Sequence, residues 1–220
     1  MELTAELTAA LGPRDIVIVE GADASTYLQS QVSQDLRNQA VGEQQWTFML
    51  QPTGKIDALA RVTRTDEERY ELDVDAGFGD VVLARINRFK IRVKADTTLV
   101  AAEASELDPE TERVRIQLGW PRMGCEIVPG ETIPASTGLT GIAVSFTKGC
   151  YPGQELVERM DSRAAEAPKS LRRLTVTEGA AAGDQVFDGD ALVGELTSVS
   201  GTAALGWVKR SSDVGEPVQF

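Results

Sequence analysis

The run DIVIVE at 15–20 is dense in β-branched residues and reads as a short strand. The period then changes. Over 21–36, Tyr27, Leu28, Val32 and Leu36 recur at helical spacing, with Asp23 or Ser25 placed to cap. Strand-like runs return at 45–50, 56–63 and 70–74. The first two are joined by Gln51-Pro52-Thr53-Gly54-Lys55, with Pro and Gly at turn-compatible positions. From 79 to 89, Val82, Ile86 and Phe89 share a helix face, and a strand is expected at 90–94. In that strand Lys90, Arg92 and Lys94 would face one side and Ile91 and Val93 the other.

Beyond this point the pattern loosens. Residues 103–112 are acidic and read as an exposed linker or shortened connection. Residues 164–169, Ala/Glu-rich with a proline, suit a hinge. Short strand candidates follow at 171–177, 191–199, 203–208 and 217–220, separated or interrupted by glycines, which indicates a small antiparallel barrel or sandwich. The expected class is α+β followed by all-β, with a body at 1–163 and a C-terminal domain at 164–220. Strand and helix alternate early without a Gly-rich phosphate loop, so a Rossmann reading fails.

Composition narrows the chemistry. The 220 residues carry 22 Lys+Arg against 34 Asp+Glu, a net charge of −12, with no histidine and two cysteines. Imidazole bases, Ser-His-Asp and Cys-His pairs and His-ligated metals are excluded. Two thiols cannot alone close a four-ligand zinc or iron–sulfur site, so no resident metal is expected. The negative excess argues against a broad grip on nucleic acid or anionic membrane. No apolar run approaches the roughly 18 residues of a membrane span, and the opening MELTAELTAALGPRD has acids where a signal peptide has bases. The expectation is a cytoplasmic protein in which Cys125 and Cys150 are free thiols.

The segment Lys148-Gly149-Cys150-Tyr151-Pro152-Gly153-Gln154-Glu155 packs two glycines, a proline and a thiol before a helical pattern at Leu156, Val157 and Met160. A cysteine just ahead of a helix and two residues after a lysine is a candidate for a lowered pKa. The competing reading is a small buried hydrophobe in a tight turn. Gly149 and Gly153 read as backbone devices. Cys125 reads as packing.

The octapeptide KGCYPGQE resembles the K-G-C-[FY]-x-G-Q-E signature of YgfZ-type folate-binding proteins, relatives of aminomethyltransferase, the glycine cleavage T-protein. Gly21-Ala22-Asp23-Ala24 through Tyr27-Leu28-Gln29 and Asp35, the turn Pro52-Thr53-Gly54-Lys55-Ile56, the stretch 115–126 (RIQLGWPRMGCE), residues 193–198 and residues 203–206 are similar to further blocks of that family in the same order. The resemblance implies a T-protein-like folate-binding body of entwined α+β subdomains followed by a small C-terminal antiparallel β-barrel. It also implies support of iron–sulfur cluster assembly or repair in client enzymes, some of which modify tRNA. Carried over, Cys150 is the functional thiol, Lys148 the neighbour favouring its thiolate, and Gln154 the start of the supporting helix. Tetrahydrofolate or a related folate is the implied ligand. Iron–sulfur client or assembly proteins are the implied partners, with neither nucleic acid nor membrane bound directly.

Two departures bear on that ligand. Where T-proteins place a glutamate on the pterin amide, this chain has Gln117, beside Arg115 and Trp120, the latter a candidate pterin wall. Exchanging a charge-assisted bond for a neutral one loses on the order of 1 kcal/mol. Of two consecutive acids after the Gly54 turn, Asp57 remains and the second position is Ala58, which counts against aminomethyl transfer. The chain thus reads as an accessory factor more than a classical aminomethyltransferase. The alternatives are a folate-dependent one-carbon transferase working through Asp57 and an interaction module with a vestigial cleft. Arg159 and Arg163, four apart on one helix face, could meet an anion near Cys150 or pair with Glu155 and Asp161. The basic run from Arg85 to Lys94 could hold a glutamate tail or an RNA-linked client, or form a solvated face.

Overall fold

The structure, a computed structural model, describes residues 5–103, 107–162 and 167–220. Arg163 and half of the expected hinge, residues 164–166, lie outside these. After a short helix α1 (Ala5–Ala10), β1 (Arg14–Glu20) buries Asp15, Val17 and Val19 on one face. It pairs antiparallel with β4 (Arg69–Asp75) and β5 (Asp96–Val100). With β2 (Gln44–Leu50) and β3 (Ile56–Asp66) it completes a five-stranded antiparallel sheet ordered β2-β3-β4-β1-β5. Two helices, α2 (Ala24–Gln31) and α3 (Gly79–Arg88), pack on this sheet, α3 through Val82 and Ile86. From Trp46 to Leu50 every residue of β2 is buried, Thr47 included, as in a strand covered on both faces.

Three expectations for this half change. The helix after β1 ends at Gln31, and the buried Val32 and Leu36 belong to the loop beyond it. Asp23 sits at the N-cap without capping, because its carboxylate accepts the Lys94 amide at 2.8 Å. The same contact breaks the strand expected at 90–94. Lys90 folds its ammonium onto the Ala95 carbonyl at 2.9 Å and Arg92 turns to φ 58°, so the chain loops back before β5 begins. Gly21 is fixed by this loop, since a Cβ there would lie 2.6 Å from the Lys94 carbonyl oxygen.

The acidic stretch is not simply a linker. Asp108 accepts the amides of Glu110 and Thr111, both at 3.1 Å, and Pro109 opens α4 (Pro109–Leu118), which ends at the left-handed Gly119. Short helices α5 (Pro134–Thr137) and α6 (Thr140–Ala143) precede α7 (Gln154–Ser162). The last strands, β6 (Lys169–Thr175), β7 (Gln185–Asp188), β8 (Ala191–Ser200), β9 (Ala203–Lys209) and β10 (Glu216–Pro217), form a second antiparallel sheet ordered β10-β6-β9-β8-β7. It is an open sheet, not the closed barrel expected, because its edge strands β10 and β7 do not pair with each other. Among the described residues no helix is long and apolar enough to cross a membrane.

One buried ion pair links α4 to the second sheet. Arg115, fully buried, donates to Glu112 (2.6 and 2.9 Å), Glu126 (3.1 Å), the Trp120 carbonyl (2.5 Å) and Ser198 Oγ (2.7 Å). Glu126 in turn accepts from Ser198 (2.6 Å) and Thr197 (2.7 Å) on β8. Burial alone would lower the Arg115 pKa, yet Glu112 and Glu126 hold it above its ordinary value. Arg115→Ala strands a buried carboxylate and is expected to destabilise by about 3–5 kcal/mol. Denaturant unfolding measures this, and a loss below about 1 kcal/mol would contradict the linking role.

Candidate thiol site

Cys150 is exposed on the turn between α6 and α7. Two devices hold that turn. The first is Lys148, only 6% exposed, whose ammonium donates to the carbonyls of Gln29 (2.6 Å), Val32 (2.5 Å) and Gln34 (3.0 Å) and lies 5.1 Å from the Tyr151 ring centre. The accepting loop is itself shaped from within. Gln29 accepts the Leu36 amide at 2.7 Å, while Ser33 accepts the Phe48 amide at 2.8 Å and donates to the Ala143 carbonyl at 2.6 Å. Burial pushes Lys148 down to about 8, with Asp35 opposing the shift. All three ammonium hydrogens have carbonyl partners, so the lysine serves the turn and does not direct a hydrogen bond to the thiol.

The second device is glycine. Gly153 has φ 84°, and a Cβ there would lie 2.5 Å from the Gln51 carbonyl oxygen; Gly54, at φ 83°, faces Leu156 just as closely. The two turns are therefore pressed together, glycine on each side. Gly149 has neither a positive φ nor a close neighbour, so the packing role falls to Gly153 alone. Tyr151 is buried beneath, and burial pushes its phenol up to about 12. Gln154 opens α7, its side chain accepting the Tyr151 amide at 3.3 Å and donating to Glu158. Arg159 pairs with Glu155 at 2.5 Å on the exposed face.

Asp57 belongs to the other turn. The β2–β3 register slips between Met49 and Leu50, which pair with Ala58 and Ile56, leaving Asp57 as the extra residue of a bulge. Its carboxylate accepts from Gln51 at 2.8 Å and lies 3.6 Å from Arg85 Nε. Arg85 is 4% exposed, donates to the Leu50 carbonyl (3.1 Å) and to Gln31 (3.0 Å), and stacks 4.9 Å from the Phe89 ring centre, while its Nη2 has no partner. Burial lowers the Arg85 pKa and Asp57 opposes this. Ala58 is fully buried. Gln31 and Gln51 were missed by sequence reasoning, which set Arg85 only in the basic run ending at Lys94. The available signal was a cation on the apolar stripe of α3, beside Val82 and Ile86.

The remaining nominated residues do not join them. Trp120 is 1% exposed, its ring centre 4.5 Å from that of Trp46 and 5.3 Å from that of Phe220, so it is core and offers no wall to a ligand. Arg115 is consumed by its carboxylates. Gln117 is exposed on α4 and lines a surface pocket with Arg173 and Glu216 of the second sheet. As a set, Arg115, Gln117 and Trp120 do not fit a pterin. Cys125 is half-buried, and burial followed by Glu126 pushes its thiol up. Among the described residues no three His, Cys, Asp or Glu side chains group to hold a metal ion.

The Lys148 shift carries a sign. The folded chain releases this proton near pH 8 and the unfolded chain near 10.5, so the folded form is the poorer proton binder between those values. The pH-dependent part of its contribution to stability is complete above 10.5 and is lost as pH falls through 8. The stability difference between wild type and Lys148→Met is expected to widen in favour of the wild type from pH 8 to 10.5. A flat or narrowing difference would contradict the buried placement.

No family model matches the chain. A protein of Haemophilus influenzae described as uncharacterized is 28% identical over 188 residues, covering 68% of this chain and 67% of its own length. The mouse mitochondrial iron-sulfur cluster assembly factor IBA57 is 46% identical over 48 residues, which is 21% of this chain and 13% of that protein. Among solved structures, the glycine cleavage system aminomethyltransferase T of Bartonella henselae superposes with a TM-score of 0.77 at 16% identity, covering 89% of this chain and 76% of its own. The chain therefore has the fold of a glycine cleavage T-protein, and the stretch it shares with IBA57 supports the YgfZ-type folate-binding family to which its sequence pointed.

Proposed function

We propose that this protein supports assembly or repair of iron–sulfur clusters in client enzymes, tRNA-modifying enzymes among them, with Cys150 as its working thiol. The observation that carries the reading is the exposed Cys150 on a turn held from beneath by the Lys148 ammonium and from the side by Gly153. A solvent-facing thiol on a fixed support can meet a second protein without the chain reorganising, which keeps the ordering cost of the encounter low. As a thiolate it is a soft ligand suited to iron and sulfide. One thiolate supplies one ligand, so the other ligands to the cluster, which is cargo here, come from the client, an assembly partner or a small thiol. The name of the mouse relative, an iron–sulfur cluster assembly factor, points the same way.

Folate enters only through the family resemblance. The interior positions of Arg115 and Trp120 leave the nominated pterin set incomplete, so no step is derived through folate. Asp57 and the unpartnered Nη2 of Arg85 are the groups left near the thiol turn that could meet a polar ligand.

In a strain lacking this protein, Cys150→Ser is expected to restore less than about a tenth of the client enzyme activity that the wild type restores, with stability unchanged within about 0.5 kcal/mol because the residue is exposed. Full restoration by the serine variant would remove the thiol from the function. In calorimetric titration with tetrahydrofolate, Gln117→Glu is expected to bind no more tightly than the wild type, since position 117 faces solvent on α4. A gain of tenfold or more would mean that the glutamine occupies a folate site.

A further inference from the structure

Where α5 and α6 meet the second sheet, the protein encloses a pocket of about 510 Å³ that no residue of the Cys150 or Asp57 turns lines. Its polar wall is Ser136, Thr140, Ser170, Arg172, Arg210 and Gln219, and no acidic side chain lines it, although the chain carries 34 acids against 22 bases. Arg172 is 5% exposed and Ser170 and Ser136 are 8% and 9% exposed, so this is a built interior wall. The guanidinium of Arg172 donates to Ser170 Oγ (3.3 Å), the Val214 and Gly215 carbonyls (3.1 and 3.3 Å) and the Arg210 carbonyl (3.4 Å). Every one of these acceptors is uncharged, and every distance exceeds the roughly 2.7–2.9 Å of a charge-assisted bond. Arg115, comparably buried, has a carboxylate oxygen at 2.6 Å. The contacts of Arg172 account for its position in β6 but leave its charge unanswered, and buried charges are ordinarily paired.

We infer that this pocket binds a phosphorylated small molecule, its phosphate between Arg172 and Arg210. A carboxylate has two oxygens to offer, whereas a phosphate monoester has three, enough to take a guanidinium fork and the Ser136, Thr140 and Ser170 hydroxyls together. The volume falls within the roughly 300–1,000 Å³ of small-molecule sites, so it has room for an organic group beyond the phosphate. Pro217 and Val218 supply the apolar side for that group. This site stands independently of the thiol function.

The test is calorimetric titration of the whole protein with inorganic phosphate, glycerol 3-phosphate and glutarate at ionic strength matched with sodium chloride. Saturable binding of both phosphates is expected, with glycerol 3-phosphate the tighter. Arg210→Gln should weaken it by about tenfold, the loss of one charge-assisted contact, and Arg172→Gln should abolish it. Because Arg172 also holds the 210–215 turn, the double variant Ser136→Ala, Arg210→Gln carries the test if Arg172→Gln fails to fold. Four outcomes would overturn the inference: no saturable phosphate binding, binding of inorganic phosphate alone, tighter binding of glutarate, or affinities unchanged in the double variant.

Discussion

The thiol turn depends on one buried ammonium. Lys148 lies in the interior without a carboxylate in contact, and its three hydrogens are answered by three carbonyls at the end of α2 and in the loop after it, those of Gln29, Val32 and Gln34. An unpaired charge in such a place would cost several kcal/mol. The loop must therefore keep its carbonyls converging, and Gln29 and Ser33 hold it in that shape through side-chain bonds to Leu36, Phe48 and Ala143. The constraint is geometric, and it reaches from α2 to the segment before α7.

From that point the rest of the site follows by contact. The bulge at Asp57 and the glycine at 54 shape a turn flat enough to receive Gly153, and Arg85 secures the same turn from beneath through the Leu50 carbonyl and Asp57. Cys150 is thus carried on a turn that abuts the β2–β3 turn of the first sheet and is held by the end of α2 and the loop after it. The second sheet is tied on separately, through Arg115, Glu126 and Ser198. The thiol support and the attachment of the C-terminal strands rest on different buried cations.

Much of this was legible in the chain. The strands at β1 to β4 and β8 to β9, the α3 helix and the turn before α7 follow from hydrophobic period and from Gly and Pro placement. What escaped was decided by single tertiary contacts. Lys90, Arg92 and Lys94 alternate like a strand, but Asp23 captures the Lys94 amide and the strand forms later. Asp108-Pro109 carried a helix-start signal that the surrounding acidity obscured. Lys148 stands two residues from Cys150 in sequence, yet proximity along a chain does not say where a flexible side chain points. Trp120 and Arg115 sit in a recognisable motif, and only the fold shows that both face inward.

The central claim is that Lys148 shapes the support of Cys150 through its three carbonyls. Native-state hydrogen exchange on wild type and Lys148→Met tests it directly. The account predicts loss of protection concentrated in residues 29–36 and 148–153, with β1 and β4 retaining theirs. Unchanged protection in those two loops, or a uniform loss across the first sheet, would contradict it.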